Sequence, residues 1–323
     1  MTGIVIVTWN SEDVIGACLD ACLRLPGVQV AVVDNASRDD TVAEVRMRPE
    51  VRLAANTVNR GFAGGVNQGI AMLDASAVLV LNPDAVPVDG IEWLAAAALT
   101  PGAGAASGML LDSDGSPQHG FNVRSFPTAW TLAFEVLGLN RLMPWNPVNR
   151  RYRRECRADD VQEVDQPAGA FLMVNRAAWE TVGGFDESFH PVWFEDVDFC
   201  LRLKNAGYRV LYVPQAAARH IGGHSAARVR WEDRQVFWYG NLMRYAAAHF
   251  RPRGRRLVAG AVVLGMLPRS VIALLFRGKL NAVSVYSEVF RLACRCWSKG
   301  HSLTELQAAQ LSRKGEKGPA VLG

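Results

Sequence analysis

The sequence predicts an α/β protein with a doubly wound, mostly parallel sheet and a helical extension at its C-terminal end. Short, β-branched, continuously apolar runs recur in the first half of the chain, as in strands buried on both faces. Segments with helical features separate these runs, and such alternation is typical of parallel sheets. The last part of the chain carries helical, basic and apolar segments instead.

Length and composition are those of a globular protein with a sizeable core. The chain has 323 residues, enough for one large α/β domain with an appendage or for two domains. Of these residues, 50% are hydrophobic, and the formal charge is 35 − 31 = +4. So small an excess does not indicate a nucleic-acid partner, although arginines cluster at 148–157 and 251–256. We therefore expect no nucleic acid among the partners.

Cysteine usage and the N-terminal segment predict a cytoplasmic location. The six cysteines form no CxxC pair and no Cys/His spacing of the zinc type, which is typical of reduced thiols. The chain runs from Gly3 directly into an apolar segment, with no charged leader and no hydrophobic signal region. The active site is therefore expected to face the cytosol.

The first half of the chain is organised as strands and helices in alternation. Four apolar runs predict buried strands: 4–8, 28–33, 51–55 and 77–81. Ser11 is the candidate cap of a first helix that ends at 26–27. Two more helices are predicted, one over 40–48 and one opened by the glycine-rich segment 59–67 and ending near 73.

The second half is less regular. Residues 115–157 mix Pro, Trp, Asn and Arg without clear periodicity, and we expect strand fragments and an adaptable loop region there. Order returns in five predicted elements: a strand over 166–174, helices over 176–182 and 195–204, a strand over 209–213 and a long amphipathic helix over 231–249.

A basic and apolar region follows. Residues 257–276 are apolar except for Arg269 and are interrupted by Pro268. A run of this length could span a bilayer, but an arginine beside a proline favours a segment that lies in the membrane interface. The alternative is a helical pair packed on the catalytic domain or on a second subunit.

Three domains are predicted from these patterns. They are a catalytic domain over 1–228, a basic and apolar helical extension over 229–301, and a terminal part over 302–323. In the terminal part, Ser302 with Glu305 resembles a capping box for a short helix, and a disordered tail is expected over 315–323.

Three polar residues fall at the carboxyl ends of predicted strands, where ligands of such sheets bind: Asp34, Asn82 and Asp84. An ionised carboxylate is an acceptor only, so Asp34 can accept the imide N–H of uracil or thymine. The alternative for Asp34 is a turn residue, since Asp-Asn-Ala-Ser is favourable turn chemistry. Asp84 offers a hard oxygen ligand for Mg²⁺ or Mn²⁺ held mainly through substrate phosphates.

Two histidines compete for a place at this predicted metal site. His220 could add a nitrogen ligand, which would shift the preference toward Mn²⁺. His224 is the competing candidate, and a lone histidine is more often a hydrogen-bonded residue than a ligand.

The glycine-rich segment 61–65 resembles a dinucleotide-binding fingerprint only loosely. It lacks the GxGxxG spacing and follows the third predicted strand instead of the first. A Rossmann dehydrogenase is therefore a poor fit. Glycines before a helix still allow the backbone to approach a nucleotide closely.

The segment 183–203 gathers carboxylates among large aromatic side chains. Glu195 and Asp196 fall in the first turn of a predicted helix. Burying a charged carboxylate in such surroundings is energetically unfavourable unless a nearby cation or protonation offsets its charge. A catalytic base beside a metal-bound anionic substrate is one such arrangement. The alternative is simple complementarity between acidic residues and the helix dipole.

Eight motifs in sequence carry a family resemblance. They are VTWN at 7–10, VDNAS at 33–37, NRGFAGGVN at 59–67, LNPDA at 81–85, GAFLMVNR at 169–176, GGFDESF at 183–189, EDVDFCLRLKNAGY at 195–208 and HIGGHS at 220–225. In this order they resemble inverting glycosyltransferase family two, particularly its rhamnosyltransferase-like members. The resemblance covers roughly residues 3–225.

This resemblance implies a GT-A fold and a nucleoside-diphosphate sugar donor, a dTDP- or UDP-sugar, held through a divalent cation. It implies that Asp34 binds the base, Asp84 and His220 the metal, and that Asp196 is the general base with Glu195 beside it. The Asn-Pro-Asp at 82–84 leaves one carboxylate fewer than the DxD element of other members. Further contacts to the nucleotide-sugar are expected from Thr8, Asn59, Arg60, Gly61, Asn67 and Asn82.

The expected reaction is transfer of rhamnose or a similar hexose, with inversion, to a hydroxyl of a glycan or lipid-linked acceptor in cell-surface polysaccharide synthesis. The basic apolar region would hold the enzyme at the anionic inner face of the cytoplasmic membrane. Two alternatives remain. A nucleotidyltransferase would need a glycine- and lysine- or arginine-rich loop after the first strand, which 8–13 lacks. A non-catalytic nucleotide-sugar binding protein at the membrane would not need Asp196 as a general base.

Overall fold

A mixed β-sheet carries the polar strand ends that the sequence singles out. The computed structural model describes residues 1–118, 120–153, 160–222, 227–277 and 280–299. Within these residues nine strands form one sheet in the order β3-β2-β1-β4-β10-β6-β11-β5, with β8 paired to β11. The strands, including the separate pair β7 and β9, are β1 (Thr2–Thr8), β2 (Val28–Asp34), β3 (Arg52–Ala55), β4 (Ala77–Leu81), β5 (Ala85–Asp89), β6 (Ala103–Leu111), β7 (Val123–Arg124), β8 (Gln162–Val164), β9 (Gln166–Pro167), β10 (Phe171–Asn175) and β11 (Arg209–His220).

Helices separate and follow these strands. In chain order they are α1 (Ile15–Leu23), α2 (Thr41–Arg46), α3 (Gly61–Ala71), α4 (Ile91–Ala98), α5 (Ala129–Leu137), α6 (Leu139–Leu142), α7 (Pro147–Tyr152), α8 (Arg176–Thr181), α9 (Glu195–Asn205), α10 (Trp231–His249), α11 (Pro252–Arg277) and α12 (Leu280–Lys299). The predicted α/β class with a doubly wound sheet and a C-terminal helical extension is confirmed. The strands β5, β8 and β10 add antiparallel pairings to it.

Both faces of the sheet are covered by helices because its strands are apolar on both sides. Ile4 and Ile6 of β1 belong to the core beneath α1 and α4. Val5 and Val7, which point to the opposite face, belong to the core beneath α3, α8 and α9. This is the layer arrangement expected when strands are continuously hydrophobic instead of alternating.

The first, second and fourth strands end at one edge of the sheet. β1 pairs in parallel with β2, where Thr8 aligns with Asp34, and with β4, where Ile6 aligns with Leu81. The carboxyl ends of these three strands therefore meet, as the sequence predicts. β10 runs antiparallel between β4 and β6.

Two predicted helix starts differ from the structure. Ser11 is not the cap of α1, because its carbonyl accepts the N–H groups of Val14 and Ile15 in a turn that delays the helix to Ile15. The glycine-rich segment is not a loop before a helix, since α3 begins at Gly61 itself.

The region 115–157 is more helical than the sequence predicts. It contains α5, α6 and α7 in place of an adaptable loop. The Thr128 hydroxyl caps α5 by accepting the Thr131 N–H at 3.1 Å, and Gly138 ends it with a φ of 77°. Helices this short do not show enough turns for their periodicity to stand out among Pro, Trp and Asn.

Strand β11 is longer than predicted and bends near its middle. It continues beyond Val213 to His220, and its pairing with β6 shifts register between Tyr212 and Ala217. A shift of this kind is typical of a β-bulge, which ends a simple apolar pattern without ending the strand. The extension brings His220 to the end of the sheet.

The chain divides into two compact units. The first comprises Met1–Phe126, Arg151–Glu187 and Glu195–Arg228, and contains the sheet. The second comprises Pro127–Arg150, Ser188–Phe194 and the chain from Val229 onward. The predicted domains 1–228, 229–301 and 302–323 remain predictions. The capping box at Ser302, the expected tail and His224 lie outside the described residues.

In the second unit, α11 packs between α5 and α12. A Cβ on Gly254 would lie 3.2 Å from Ala129, and one on Gly260 would lie 3.2 Å from the Trp297 ring. These glycines therefore allow close helix contact. Pro268 does not interrupt α11, in contrast to the prediction. Next to it, the Arg269 side chain hydrogen bonds the Gly265 carbonyl at 2.7 Å.

Candidate active site

Asp34 ends the second strand with a carboxylate that the protein already hydrogen bonds. Asp34 is only 1% exposed. Thr8 donates its hydroxyl to Asp34 Oδ1 at 2.9 Å, and the Ser37 N–H donates to Oδ2 at 2.9 Å. The Ser37 hydroxyl also donates to Oδ1. A carboxylate offers about four acceptor positions, so room remains for one further donor such as the imide N–H of a base.

Asparagine side chains hold the segment that leads into α3. Asn59 Oδ1 accepts the Gly61 N–H at 2.7 Å, and Asn35 donates Nδ2 to the Gly61 carbonyl at 2.9 Å. Gly61 has a φ of 78°, in the left-handed region that favours glycine. Asn59 and Gly61 are therefore brought next to Asp34 through its neighbour Asn35.

Arg60 and Asn67 contact the loop that follows Gly184. Arg60 Nη2 pairs with Glu187 Oε2 at 3.3 Å. Asn67 accepts the Phe185 N–H at 2.9 Å and donates Nδ2 to the Phe185 carbonyl at 2.8 Å. These side chains hold that loop against α3. Their predicted contact with the nucleotide-sugar stays a prediction.

Asp84 and His220 meet where β5 begins and β11 ends. His220 pairs with Ala85, the residue after Asp84. Its Nε2 lies 3.5 Å from Asp84 Oδ1 and 3.5 Å from Asn82 Nδ2. The side chains of His220 and Asp84 are 2% and 4% exposed. The structure thus brings the two predicted metal ligands and Asn82 together.

These residues fit a divalent cation bound mainly through its substrate. A carboxylate oxygen and an imidazole nitrogen face each other in buried surroundings, and both are ligands suited to Mn²⁺. Within the described residues no group of three or more His, Cys, Asp or Glu side chains could hold a metal. Further ligands would therefore come from a diphosphate and from water, as is usual for Mg²⁺ in substrate complexes.

The carboxyl groups of Glu195 and Asp196 begin α9 in different surroundings. Burial, followed by the negative charge of Asp196, raises the pKa of Glu195 well above its ordinary value. Glu195 Oε2 has no hydrogen-bond partner among the described residues. Burial also raises the pKa of Asp196, but N–H groups of Gly169 and Val197 and the charge of Arg124 oppose it. Asp196 is therefore the carboxyl group that ionises more readily.

Asp198 forms an ion pair with Arg202. Its Oδ2 lies 2.7 Å from Arg202 Nε, and its side chain is 3% exposed. Arg202 also donates Nη1 to the Val182 carbonyl at 2.7 Å. This pair ties α9 to the end of α8, so Asp198 has a structural role.

A short series of hydrogen bonds links Asp196 to the strand ends. Asp196 Oδ2 accepts the Gly169 N–H at 3.0 Å. The next residue, Ala170, accepts the Asn82 N–H at 3.0 Å through its carbonyl. A Cβ on Gly169 would lie 3.0 Å from the Asp196 Cβ, so glycine allows this close approach. Asp196 is thereby linked, through the adjacent residues 169 and 170, to Asn82 just after the end of β4.

Two residues at this site are missing from the sequence predictions. Gln118 hydrogen bonds His220, and Arg124 lies close enough to Asp196 for its charge to act on the pKa of that group. The Arg124 guanidinium lies over the rings of Phe121 and Tyr152, at 5.8 and 5.7 Å from their centroids. Both come from the region without periodicity, where no motif marks them.

The sheet and its strand-end site define a transferase of the GT-A class, and the family follows from a profile match. The profile described as "Glycosyltransferase like family 2" matches residues 2–237. The chain belongs to this glycosyltransferase family 2. The predicted family and enzyme class are thereby confirmed.

Two curated relatives are rhamnosyltransferases. The N-acetylglucosaminyl-diphospho-decaprenol L-rhamnosyltransferase of Mycobacterium tuberculosis H37Rv is 34% identical over 221 residues, which cover 62% of this chain and 69% of that protein. Rhamnosyltransferase WbbL of Escherichia coli K12 is 31% identical over 137 residues, which cover 40% of this chain and 48% of that protein. The resemblance to rhamnosyltransferase-like members is thus confirmed.

A solved structure shares the fold. GalNAc-T7, crystallised with UDP, GalNAc and Mn²⁺, superposes with a TM-score of 0.58 over 97% of this chain and 57% of that chain. Its sequence identity to this chain is 14%, so the likeness supports the GT-A fold alone.

Proposed function

We propose that the protein transfers a rhamnosyl or similar hexosyl group, with inversion, from a dTDP- or UDP-sugar to a hydroxyl of a glycan or lipid-linked acceptor. The product would belong to a cell-surface polysaccharide. The sugar and the acceptor class are supported by the mycobacterial relative, whose name states a rhamnosyl transfer to N-acetylglucosaminyl-diphospho-decaprenol. The observation that carries the proposal is the contact of Asp196 with Gly169, next to the Ala170 to Asn82 hydrogen bond.

In the proposed reaction, Asp196 accepts the proton of the acceptor hydroxyl. The hydroxyl oxygen bonds to C1 of the donor sugar on the face opposite the diphosphate, while the bond from C1 to the diphosphate oxygen breaks. The nucleoside diphosphate leaves, and the configuration at C1 is inverted. A divalent cation held by Asp84 and His220 would stabilise the negative charge on the leaving diphosphate.

Asp196 is proposed as the base in preference to Glu195 because of their different surroundings. Burial and the negative charge of Asp196 raise the pKa of Glu195 well above its ordinary value, which disfavours the ionised form that a general base needs. Asp196 accepts N–H groups from Gly169 and Val197, which favour its ionised form.

The experiment compares Asp196→Asn with Glu195→Gln, using labelled dTDP- and UDP-sugars and a lipid-linked acceptor. We expect Asp196→Asn to lower kcat by about two to four orders of magnitude, because the general base is lost, with donor binding unchanged. If Asp196→Asn kept normal turnover while Glu195→Gln lost it, the base would be Glu195. Sugar-nucleotide synthesis from a nucleoside triphosphate would instead support the nucleotidyltransferase alternative.

We also propose that α11 and α12 attach the protein to the anionic inner face of the cytoplasmic membrane. None of the helices in the described part of the chain is long and apolar enough to cross a bilayer. Large apolar side chains are exposed at helical spacing along one stripe of α11: Leu264, Leu267, Val271 and Ile272. A second exposed stripe follows α12 at Val283, Phe290 and Trp297.

The two stripes adjoin and carry positive charge. Trp297 lies against Gly260 of α11, so the exposed faces of the helices continue into each other. Arg291 and Arg295, one turn apart, are also exposed on α12. An exposed apolar and aromatic face together with exposed arginines is typical of helices that lie in a membrane interface.

The membrane proposal is tested by cosedimentation with phosphatidylcholine vesicles that contain or lack phosphatidylglycerol. We expect binding only to the anionic vesicles, and we expect salt to weaken it. The double variant Arg291→Gln with Arg295→Gln should weaken the binding free energy by about 1 kcal/mol for each charge removed. Exposed Arg46 of α2 serves as control through Arg46→Gln. Protein that stays in the supernatant at low salt would refute the proposal, and a dimer dissociated by Phe290→Ser would assign the face to a second copy.

A further inference from the structure

The Gln118 side chain is fixed in one orientation by two acceptors. Its Nε2 donates to the His220 backbone carbonyl at 2.7 Å and to Asp112 Oδ1 at 2.8 Å. A carbonyl and a carboxylate accept hydrogen bonds and cannot donate them. The amide nitrogen must therefore face both groups, and Gln118 Oε1 is directed toward the imidazole of His220, 3.1 Å from Nδ1.

This orientation determines where the imidazole of His220 carries its hydrogen. Gln118 Oε1 is an acceptor only, so the hydrogen bond requires a proton on His220 Nδ1. In the neutral ring, Nε2 is then left with its lone pair. The Asn82 amide nitrogen, a donor, lies 3.5 Å from Nε2, which agrees with this tautomer.

The lone pair on Nε2 faces the carboxylate that the site offers to a cation. Asp84 Oδ1 lies 3.5 Å from Nε2. The ring of Phe121 stacks on the imidazole with centroids 5.6 Å apart and an interplanar angle of 17°, which limits rotation of the ring. Two electron-pair donors held toward each other are what a shared cation requires.

We propose that Gln118 is a positioning residue that holds His220 in its Nδ1–H tautomer and so directs Nε2 to the divalent cation. Asp112 supports this role because it orients the Gln118 amide. The inference rests on the proposed cation at Asp84 and His220. Loss of a residue that orients a metal-binding histidine typically weakens metal affinity about 10- to 100-fold.

The test uses the full-length protein in three forms, wild type, Gln118→Leu and Gln118→Glu. Gln118→Leu removes the acceptor for Nδ1–H and the donor to Asp112, whereas Gln118→Glu keeps the acceptor but replaces the donor with a second acceptor oxygen. ¹⁵N-labelled histidine spectra report which ring nitrogen of His220 is protonated, with the signal assigned by its loss in His220→Gln. Mn²⁺ affinity is measured by calorimetry with dTDP or UDP bound, so that the diphosphate ligands are present, and without acceptor.

In the wild type we expect the Nδ1–H tautomer. In Gln118→Leu we expect its loss, with about 10- to 100-fold weaker Mn²⁺ binding. In Gln118→Glu we expect only partial recovery of the affinity, because the new side chain keeps the acceptor for Nδ1–H but repels Asp112. An unchanged tautomer or an unchanged Mn²⁺ affinity in Gln118→Leu would overturn the inference. Absence of Mn²⁺ binding in a wild type that transfers sugar would also overturn it while leaving the transferase intact. Absence of transfer with normal Mn²⁺ binding would contradict only the proposed reaction.

Discussion

The charge of Arg124 acts on the proposed base from a fixed position. Its guanidinium lies over Phe121 and Tyr152, and its Nε donates to the Gly120 carbonyl at 2.9 Å. Cation–π contacts of this kind hold a guanidinium without neutralising its charge. The positive charge therefore opposes the effect of burial on the pKa of Asp196.

Arg124→Gln is expected to shift the acidic limb of the kcat/KM profile to higher pH. Without the guanidinium charge, the effect of burial on the pKa of Asp196 is less opposed. That pKa therefore rises further, and the base is ionised only at higher pH. The measurement is kcat/KM against pH for the wild type and the variant. Lys204→Gln is the control, because Lys204 lies over Phe126 and pairs with Asp165. An acidic limb that stays in place would contradict this account of Arg124.

At the residue scale, motif and strand position predict carboxylates at strand ends, but they do not reveal which side chains contact His220 and Asp196. Asp34 and Asp84 stand at strand ends, which the apolar runs before them already mark. Gln118 and Arg124 act through His220 and Asp196, which are distant in sequence. Such long-range side-chain contacts leave no local pattern, so the sequence could not predict them.

At the element scale, the glycines of α3 allow the helix to lie close to β1. A Cβ on Gly65 would lie 2.7 Å from Val7 Cγ1, and one on Gly69 would collide with Val5 Cγ1. The glycine-rich stretch is thus explained in part by packing within the core. It brings the start of α3 to the strand ends because no side chain separates helix from sheet.

Gly69→Ala is expected to lower the free energy of unfolding by about 1–3 kcal/mol, since the added methyl group overpacks the contact with Val5. Gly16→Ala in α1 is the matched control. Its Cβ would meet only the flexible end of Arg48 at 3.4 Å and the Glu44 side chain at 3.6 Å. Because alanine favours helix, this change should raise stability by up to about 1 kcal/mol. Equal urea midpoints for the two variants would contradict the packing argument.

Element types were predictable where apolar runs were long enough to show a period. The strands β1, β2 and β4 and the helix α10 lie where the sequence predicts them. Helix α5 was missed although Thr128 and Gly138 are a favourable cap and stop. The bulge in β11 was missed because an irregular register is set by its neighbours β5 and β6.

At the scale of the whole molecule, the second unit is assembled from segments far apart in the chain. Helix α5 buries Leu132, Ala133 and Val136. A Cβ on Gly265 of α11 would lie 3.0 Å from the Val136 carbonyl oxygen, so the two helices are in close contact. The apolar face of α5 therefore depends on a helix more than a hundred residues later in the sequence.

A fragment of residues 1–228 is expected to aggregate, because it keeps α5 but lacks α11, and the apolar face of α5 becomes exposed. The measurements are size-exclusion chromatography and binding of a hydrophobic dye. A fragment of residues 1–314, which keeps α11, is the control and should elute as the full chain does. A monomeric 1–228 fragment with cooperative unfolding would show that α5 does not need α11.

The central position of β10 in the sheet has a consequence for synthesis on the ribosome. β4 ends at Leu81, but its neighbour β10 begins at Phe171, so β4 leaves the exit tunnel long before its partner exists. During that interval a wholly apolar strand has one unpaired edge, the kind of surface that chaperones protect. The same arrival of β10 brings Gly169 and Ala170 to Asn82. A nascent chain stalled before Gly169 therefore has an unpaired edge on β4 and lacks the N–H group that Asp196, the proposed general base, contacts.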